Sequence, residues 1–169
     1  MNLSCSRPTK SWSLGRLCKL NRVTRIVVLN GPNLGRLGSR DPEVYGSESL
    51  ADIEEKLVAE CPADFTIEVL QSDSEAQLIS WLHDAIDQRS AVIINPAAFT
   101  HYSYALRDAC QMVTQAGLPL VEIHLSNPHA RESFRQQSVI SGVATGVIAG
   151  FGADSYVLAM SYITRTAGH

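Results

Sequence analysis

The stretch that decides the fold is Ile26-Val-Val-Leu29 together with the residues directly after it, Asn30-Gly-Pro-Asn-Leu-Gly-Arg-Leu-Gly-Ser-Arg-Asp-Pro-Glu-Val-Tyr-Gly46. A short run of aliphatic, mostly β-branched residues reads as a strand buried on both faces, the pattern of a parallel sheet. Gly31, Pro32, Gly35, Gly38, Pro42 and Gly46 punctuate the segment after it, which is therefore a loop. A strand ending in such a loop delivers Asn30, Asn33, Arg36, Arg40 and Tyr45 to the carboxyl edge of a sheet, where open α/β folds bind ligands. A lone glycine-rich loop is more often an ordinary polar connection, so its weight depends on the rest of the chain.

Similar apolar runs recur at Phe65–Leu70, Ala91–Asn95, Leu120–His124 and Gly142–Ile148. Helix-period segments lie between them. Ser49 precedes Leu50, Ile53, Leu57 and Val58, with Asp52 three residues on, a capping-box pattern. Ser74 leads into Leu78, Ile79, Leu82, Ala85 and Ile86. Ala105, Leu106, Ala109, Cys110 and Val113 mark a third face, a short polar helix is expected over Ala130–Gln136, and a last helix starts near Asp154 and runs through Leu158, Tyr162 and Ile163. Five strands alternating with helices predict a three-layer α/β/α, flavodoxin-like fold with a five-stranded parallel sheet of order 2-1-3-4-5 and right-handed crossovers. With no repeat and no linker, residues 25–166 are expected to form one domain.

Residues 1–25 carry Arg7, Lys10, Arg16, Lys19, Arg22 and Arg25 and no acid, whereas the remainder holds 8 basic residues against 17 acidic ones. The acidic body argues against nucleic acid as a partner. The basic extension, residues 1–24, has no helix or strand period and no secretory apolar region. It is expected to be disordered, or to reflect an upstream start. No apolar run approaches the roughly 18 residues that span a membrane. Cys5, Cys18, Cys61 and Cys110 show no paired spacing and read as reduced thiols of a cytoplasmic protein.

In a doubly wound sheet the carboxyl ends of strands 1, 3 and 4 converge. Strand 3 ends in Asn95-Pro-Ala-Ala-Phe-Thr-His101 and strand 4 in Glu122-Ile-His124-Leu-Ser126-Asn127, with His129, Arg131 and Arg135 beyond. Glu122 and His124, two apart on a strand, share one face. A carboxylate beside an imidazole can fix its tautomer and make it a general acid near neutral pH, although a strand-end Glu-x-His is more often a structural pair. Arg131 and Arg135, four apart, would share a helical face and, towards a crevice, could recognise a carboxylate. There is no GxxxxGK[ST] loop, no GxGxxG and no Gly-x-Ser-x-Gly elbow. No histidine–carboxylate set has metal-ligand helical spacing. Of the three lysines, Lys10, Lys19 and Lys56, two are in the tail and Lys56 falls on the polar side of the first helix, so a Schiff base has no nucleophile. An FMN-binding or phospho-receiver module would need a phosphate loop or an aspartate where strand 3 ends in Asn95.

Four segments, LNGPNLGRLGSRDPEVYG (29–46), QSDSEAQLISWLH (71–83), INPAAFTHYSYALRDA (94–109) and VEIHLSNPHARESFR (121–135), resemble type II 3-dehydroquinate dehydratases in order and in register, from about Arg25 to Tyr162. The tail falls outside that pattern. The resemblance implies reversible anti-elimination of water from 3-dehydroquinate to give 3-dehydroshikimate through an enolate, in the shikimate pathway, without cofactor or metal, by a homododecamer of four trimers. It gives Tyr45 as the base, Arg40 as the cation that activates it and Asn33 as the holder of a water that stabilises the enolate. It gives His124 as the proton donor, oriented by Glu122. Asn95, His101, Leu125, Ser126 and Arg135 match substrate-binding positions, Arg131 a supporting one, and Asp108 one that reaches a neighbouring subunit's site. Phe99 and Tyr102 stand in a variable part of the third motif. A phenol titrating near pH 10 is a poor base at pH 7, and a nearby guanidinium lowers that value.

Overall fold

The computed structural model describes residues 23–38 and 48–167. Most of the basic extension, Arg40 and Tyr45 lie outside the described residues. Strands Arg25–Asn30 (β1), Thr66–Gln71 (β2), Ala91–Asn95 (β3), Leu120–His124 (β4) and Gly146–Ala149 (β5) form one sheet. All neighbours are parallel, in the order β2-β1-β3-β4-β5, as the alternating pattern predicts. Helices Leu50–Glu60 (α1) and Asp154–Thr166 (α4) pack together, as do Glu75–Asp87 (α2) and Tyr104–Gln115 (α3), making the three-layer flavodoxin-like arrangement.

Serines start three of these helices. Ser49 Oγ accepts from the Asp52 N–H at 3.2 Å while Asp52 Oδ2 accepts from the Ser49 N–H at 2.8 Å, so the capping box is complete. Ser74 and Ser103 cap α2 and α3 through the N–H groups of Gln77 and Leu106. Each such cap is worth about 1 kcal/mol. The helices bury Ile53 and Leu57, Leu78 and Leu82, Leu106 and Val113, and Tyr156 and Ile163 against the sheet. Full burial of each aliphatic side chain contributes roughly 1.5–3 kcal/mol before chain entropy is set against it. Cys61 sits at the end of α1 and Cys110 on the buried face of α3, both as free thiols. Among the described residues, no helix is long and apolar enough to cross a membrane.

Three expectations need correction. Only the central strands β1, β3 and β4 are buried on both faces; β2 and β5 are edges and half-exposed. The last strand begins at Gly146 rather than Gly142. Ser138 Oγ accepts from the N–H groups of Ile140 and Ser141, and the chain turns through Ser141–Val143 before it can pair. Ala130–Gln136 is not a helix but two 3-10 turns, Pro128–Ala130 and Ser133–Gln136, with Arg131 extended between them. Seven residues are too few to offset the cost of helix nucleation. Local bonds win instead: Asn127 Oδ1 accepts the His129 N–H at 3.0 Å.

Candidate active site

A cavity of about 150 Å³ opens at the carboxyl ends of β1, β3 and β4. That is room for roughly one six-membered ring. Asn33, Asn95, His101, His124, Leu125, Ser126, Arg131 and Arg135 line it, eight of the residues singled out from the sequence. Pro32, Leu34, Leu37, Ala97, Ala98 and Pro128 supply its apolar wall. Glu122 lies behind His124, fully buried. Asp108 is on exposed α3 surface, paired with Arg107 at 2.7 Å, and is not part of this chain's own cavity.

The floor is made by the tips of β1 and β3, where Asn30 and Asn95 pair in register. The Gly31 N–H donates to Asn95 O at 2.8 Å, and a Cβ on Gly31 would stand 2.6 Å from Pro96 O. Only glycine allows the two loops this close. Beyond it, Asn33 adopts a left-handed conformation (φ 69°), and its N–H donates to Asp73 Oδ1 at 2.8 Å. Gln71 Nε2 donates to the same Asp73 oxygen and to Gly31 O, tying the loop after β1 to the end of β2. Beneath the floor, Tyr156 of α4 donates to Asn30 Oδ1 at 2.5 Å and accepts from Asn95 Nδ2 at 3.2 Å. Asn95 Oδ1 accepts the Ala97 N–H at 3.2 Å, so both ends of the amide are anchored and its orientation is set, with one hydrogen left on the nitrogen. Full burial pushes the Tyr156 phenol well above its ordinary value.

The side wall carries charge. The spacing that put Glu122 and His124 on one face is realised: His124 Nε2 and Glu122 Oε1 are 2.9 Å apart. Thr100 Oγ1 donates to Glu122 Oε1 at 2.5 Å and Ser141 Oγ to Oε2 at 2.5 Å, with Ser138 Oγ 3.2 Å from Oε1. Burial alone would drive this carboxyl up, but hydrogen bonds and charge from His124, with the Ser141 and Thr100 hydroxyls, outweigh it. The group is held below the usual glutamate range.

Glu132 sits between two guanidiniums of the cavity lining, 2.8 Å from Arg135 Nε and 3.6 Å from Arg131 Nε. Its carboxyl is lowered by its own backbone N–H and by these arginines. Arg131 Nη1 also donates to Ser126 Oγ at 3.1 Å, and the Arg135 guanidinium lies 4.7 Å over the Phe134 ring. The two arginines thus meet at the cavity, although they do not share a helical face. His101 Nδ1 contacts Gln137 O at 2.7 Å.

Sequence reasoning missed Thr100, Ser138, Ser141, Glu132 and Tyr156. The hydroxyls carry no signal of their own, since serines and threonines in loops are commonplace. Tyr156 had one: a tyrosine on the apolar face of a helix needs a partner for its hydroxyl. Among the described residues, no three His, Cys, Asp or Glu side chains group as metal ligands. The arrangement pairs an imidazole with a buried anion on one wall and two guanidiniums on another. Such a site can bind an anionic, hydroxylated ring and supply a proton at one edge of it.

Residues 24–164 match the description "dehydroquinase class II". The 3-dehydroquinate dehydratase of Salinispora tropica is 52% identical over 145 residues, covering 85% of this chain and 99% of the relative. That of Bacillus licheniformis is 50% identical over 145 residues, covering 85% and 98%. The crystal structure of the type II dehydroquinase from Propionibacterium acnes superposes with a TM-score of 0.78 at 43% identity, covering 88% of this chain and 99% of that one.

Proposed function

The chain belongs to the class II dehydroquinase family, and from that premise we propose that it is a 3-dehydroquinate dehydratase, a hydro-lyase of the shikimate pathway that forms 3-dehydroshikimate through an enolate. The observation that carries this reading is the His124–Glu122 pair at the wall of a ring-sized cavity that Arg131 and Arg135 also line.

In this mechanism Arg135, seconded by Arg131, takes the substrate carboxylate, while Asn95, His101 and the Leu125–Ser126 backbone hold the ring hydroxyls. Tyr45, activated by Arg40, removes the proton next to the ketone. The enolate oxygen that develops is met by a water held at Asn33, because a charge forming in a dry site needs donors already in place. His124 then protonates the departing hydroxyl, and Glu122 stabilises the imidazolium that does so. No step calls for a cofactor or a metal ion.

Residues 25–166 act as one domain in this reading, and Asp108, exposed on α3, completes the site of a neighbouring subunit within a homododecamer of trimers. We place the enzyme in the cytoplasm, with no nucleic-acid or membrane partner. Adding 3-dehydroquinate to the purified protein and following the enone absorbance of the product tests the activity. Absorbance should rise at a rate proportional to protein; its failure to rise would overturn the reading. Sedimentation velocity tests the assembly, and a species of fewer than twelve chains would overturn that part.

A further inference from the structure

Glu122 is caged more completely than orienting one imidazole requires. Thr100 comes from the loop after β3 and Ser138 and Ser141 from the segment before β5. Those two pieces of chain are joined by the Val139 N–H donating to Thr100 O at 2.8 Å and by the Thr100–Ser138 hydroxyl contact at 2.7 Å. Thr100 is 1% exposed, so its hydroxyl has no water to turn to. Ser138 Oγ already accepts from two backbone N–H groups, and the Thr100 and Ser141 hydroxyls reach opposite Glu122 oxygens. An ionised carboxylate, which accepts on both oxygens and donates on neither, is the form such an arrangement favours.

We propose that Thr100 and Ser141 are positioning residues for the dehydration: by donating one hydrogen bond to each Glu122 oxygen they keep the carboxylate ionised and its Oε1 aimed at His124 Nε2. His124 thereby keeps a proton instead of surrendering it to its partner, and its Nδ1 is the nitrogen left for the substrate. This rests on the reading of His124 as the proton donor. The titratable groups that face Glu122 are His124 on β4 and Cys110 on α3. Burial and the Glu122 charge push the Cys110 thiol up to about 12, so it stays neutral through the working range.

The test is steady-state turnover of dehydroquinate against pH for the wild type, Thr100→Val, Thr100→Ser and Ser141→Ala. Wild-type turnover by itself decides the parent reading. Given that turnover, Thr100→Val should lower kcat by roughly tenfold to a hundredfold, the kinetic equivalent of one hydrogen bond to a charged group, with KM within about twofold. Its alkaline limb should move to higher pH, because a carboxylate with fewer donors binds the His124 proton more tightly. Thr100→Ser keeps the hydroxyl and should restore both. Ser141→Ala, a smaller change at a less buried position, should repeat the shift if Thr100→Val does not fold. A fall in kcat with an unmoved pH profile in every variant that folds would make the cage merely structural and overturn the proposal. So would unchanged kcat in Thr100→Val and Ser141→Ala.

Discussion

Two buried polar clusters lie side by side at the carboxyl edge of the sheet, and they solve burial in opposite ways. Around Glu122 a charge is kept, and three hydroxyls and an imidazole converge on it. Around Tyr156 everything is neutral: the phenol links the Asn30 and Asn95 amides, and Asn30 Nδ2 donates onward to Leu70 O. The first arrangement stores a charge that can stabilise a proton on His124. The second stores direction, holding the Asn95 amide in one orientation. Neither leaves a polar atom wanting; among the described residues no buried side-chain nitrogen or oxygen lacks a partner. The difference teaches that polarity at this edge is divided by task, with electrostatics on β4 and hydrogen-bond orientation on β1 and β3.

The strongest way to break this comparison is to exchange the two solutions. Glu122→Gln, nearly isosteric, should lower kcat by about 10²–10⁴-fold, the usual worth of a general acid, because an amide cannot stabilise the imidazolium. Turnover under saturating substrate measures it, and a loss below tenfold would remove Glu122 from the mechanism. The reverse exchange, Asn30→Asp, places a carboxylate where Leu70 O expects a donor. It should destabilise the fold by about 3–5 kcal/mol, the penalty of an uncompensated buried charge, read as a lower urea midpoint.

Tyr156→Phe is gentler. It strands Asn30 Oδ1 and one Asn95 hydrogen and should cost about 1–3 kcal/mol, with KM rising more than kcat falls as the Asn95 amide loses its bearing. A variant as stable as the parent would show that the neutral cluster is dispensable.

The smallest effect is in the pH dependence of stability, where the clusters should fail at opposite ends. The folded state holds Glu122 below its ordinary value, so its contribution is complete above about pH 4.3, the unfolded value. Below that, the unfolded chain takes up a proton first and stability drains away as pH falls towards the folded value. Tyr156 is held above its ordinary value, so its contribution is complete below about pH 10 and fades as the unfolded phenol ionises. Thermal melts should show Glu122→Gln flattening the acid limb only and Tyr156→Phe the alkaline limb only.

Much of the frame is legible in the sequence because it rests on local regularities. Runs such as Ala91–Asn95 and Leu120–His124 have one reading, and Ser49 with Asp52 announces a helix start. Glu122 and His124 are legible for the same reason, since strand geometry alone puts them on one side. What escapes reading depends on distance along the chain. Ser138 and Ser141 reach Glu122 across 16 and 19 residues, and Tyr156 reaches Asn30 across 126. No spacing rule spans such gaps. The Pro128–Gln136 stretch imitates a helix because its charge pattern has the right period, whereas side-chain bonds to nearby groups decide its shape.

Gly31 has a consequence for how this edge of the molecule can age under mutation. With Pro96 O already where a methyl group would go, the loops after β1 and β3 have no slack between them. Any residue gained at position 31 would act as a wedge, prising the tips of two strands apart and spoiling the Asn30 and Asn95 amides together. Drift at this point cannot be gradual: one missing carbon holds the two halves of the cavity floor in a common alignment, and neighbouring substitutions can accumulate only so long as that gap is left empty.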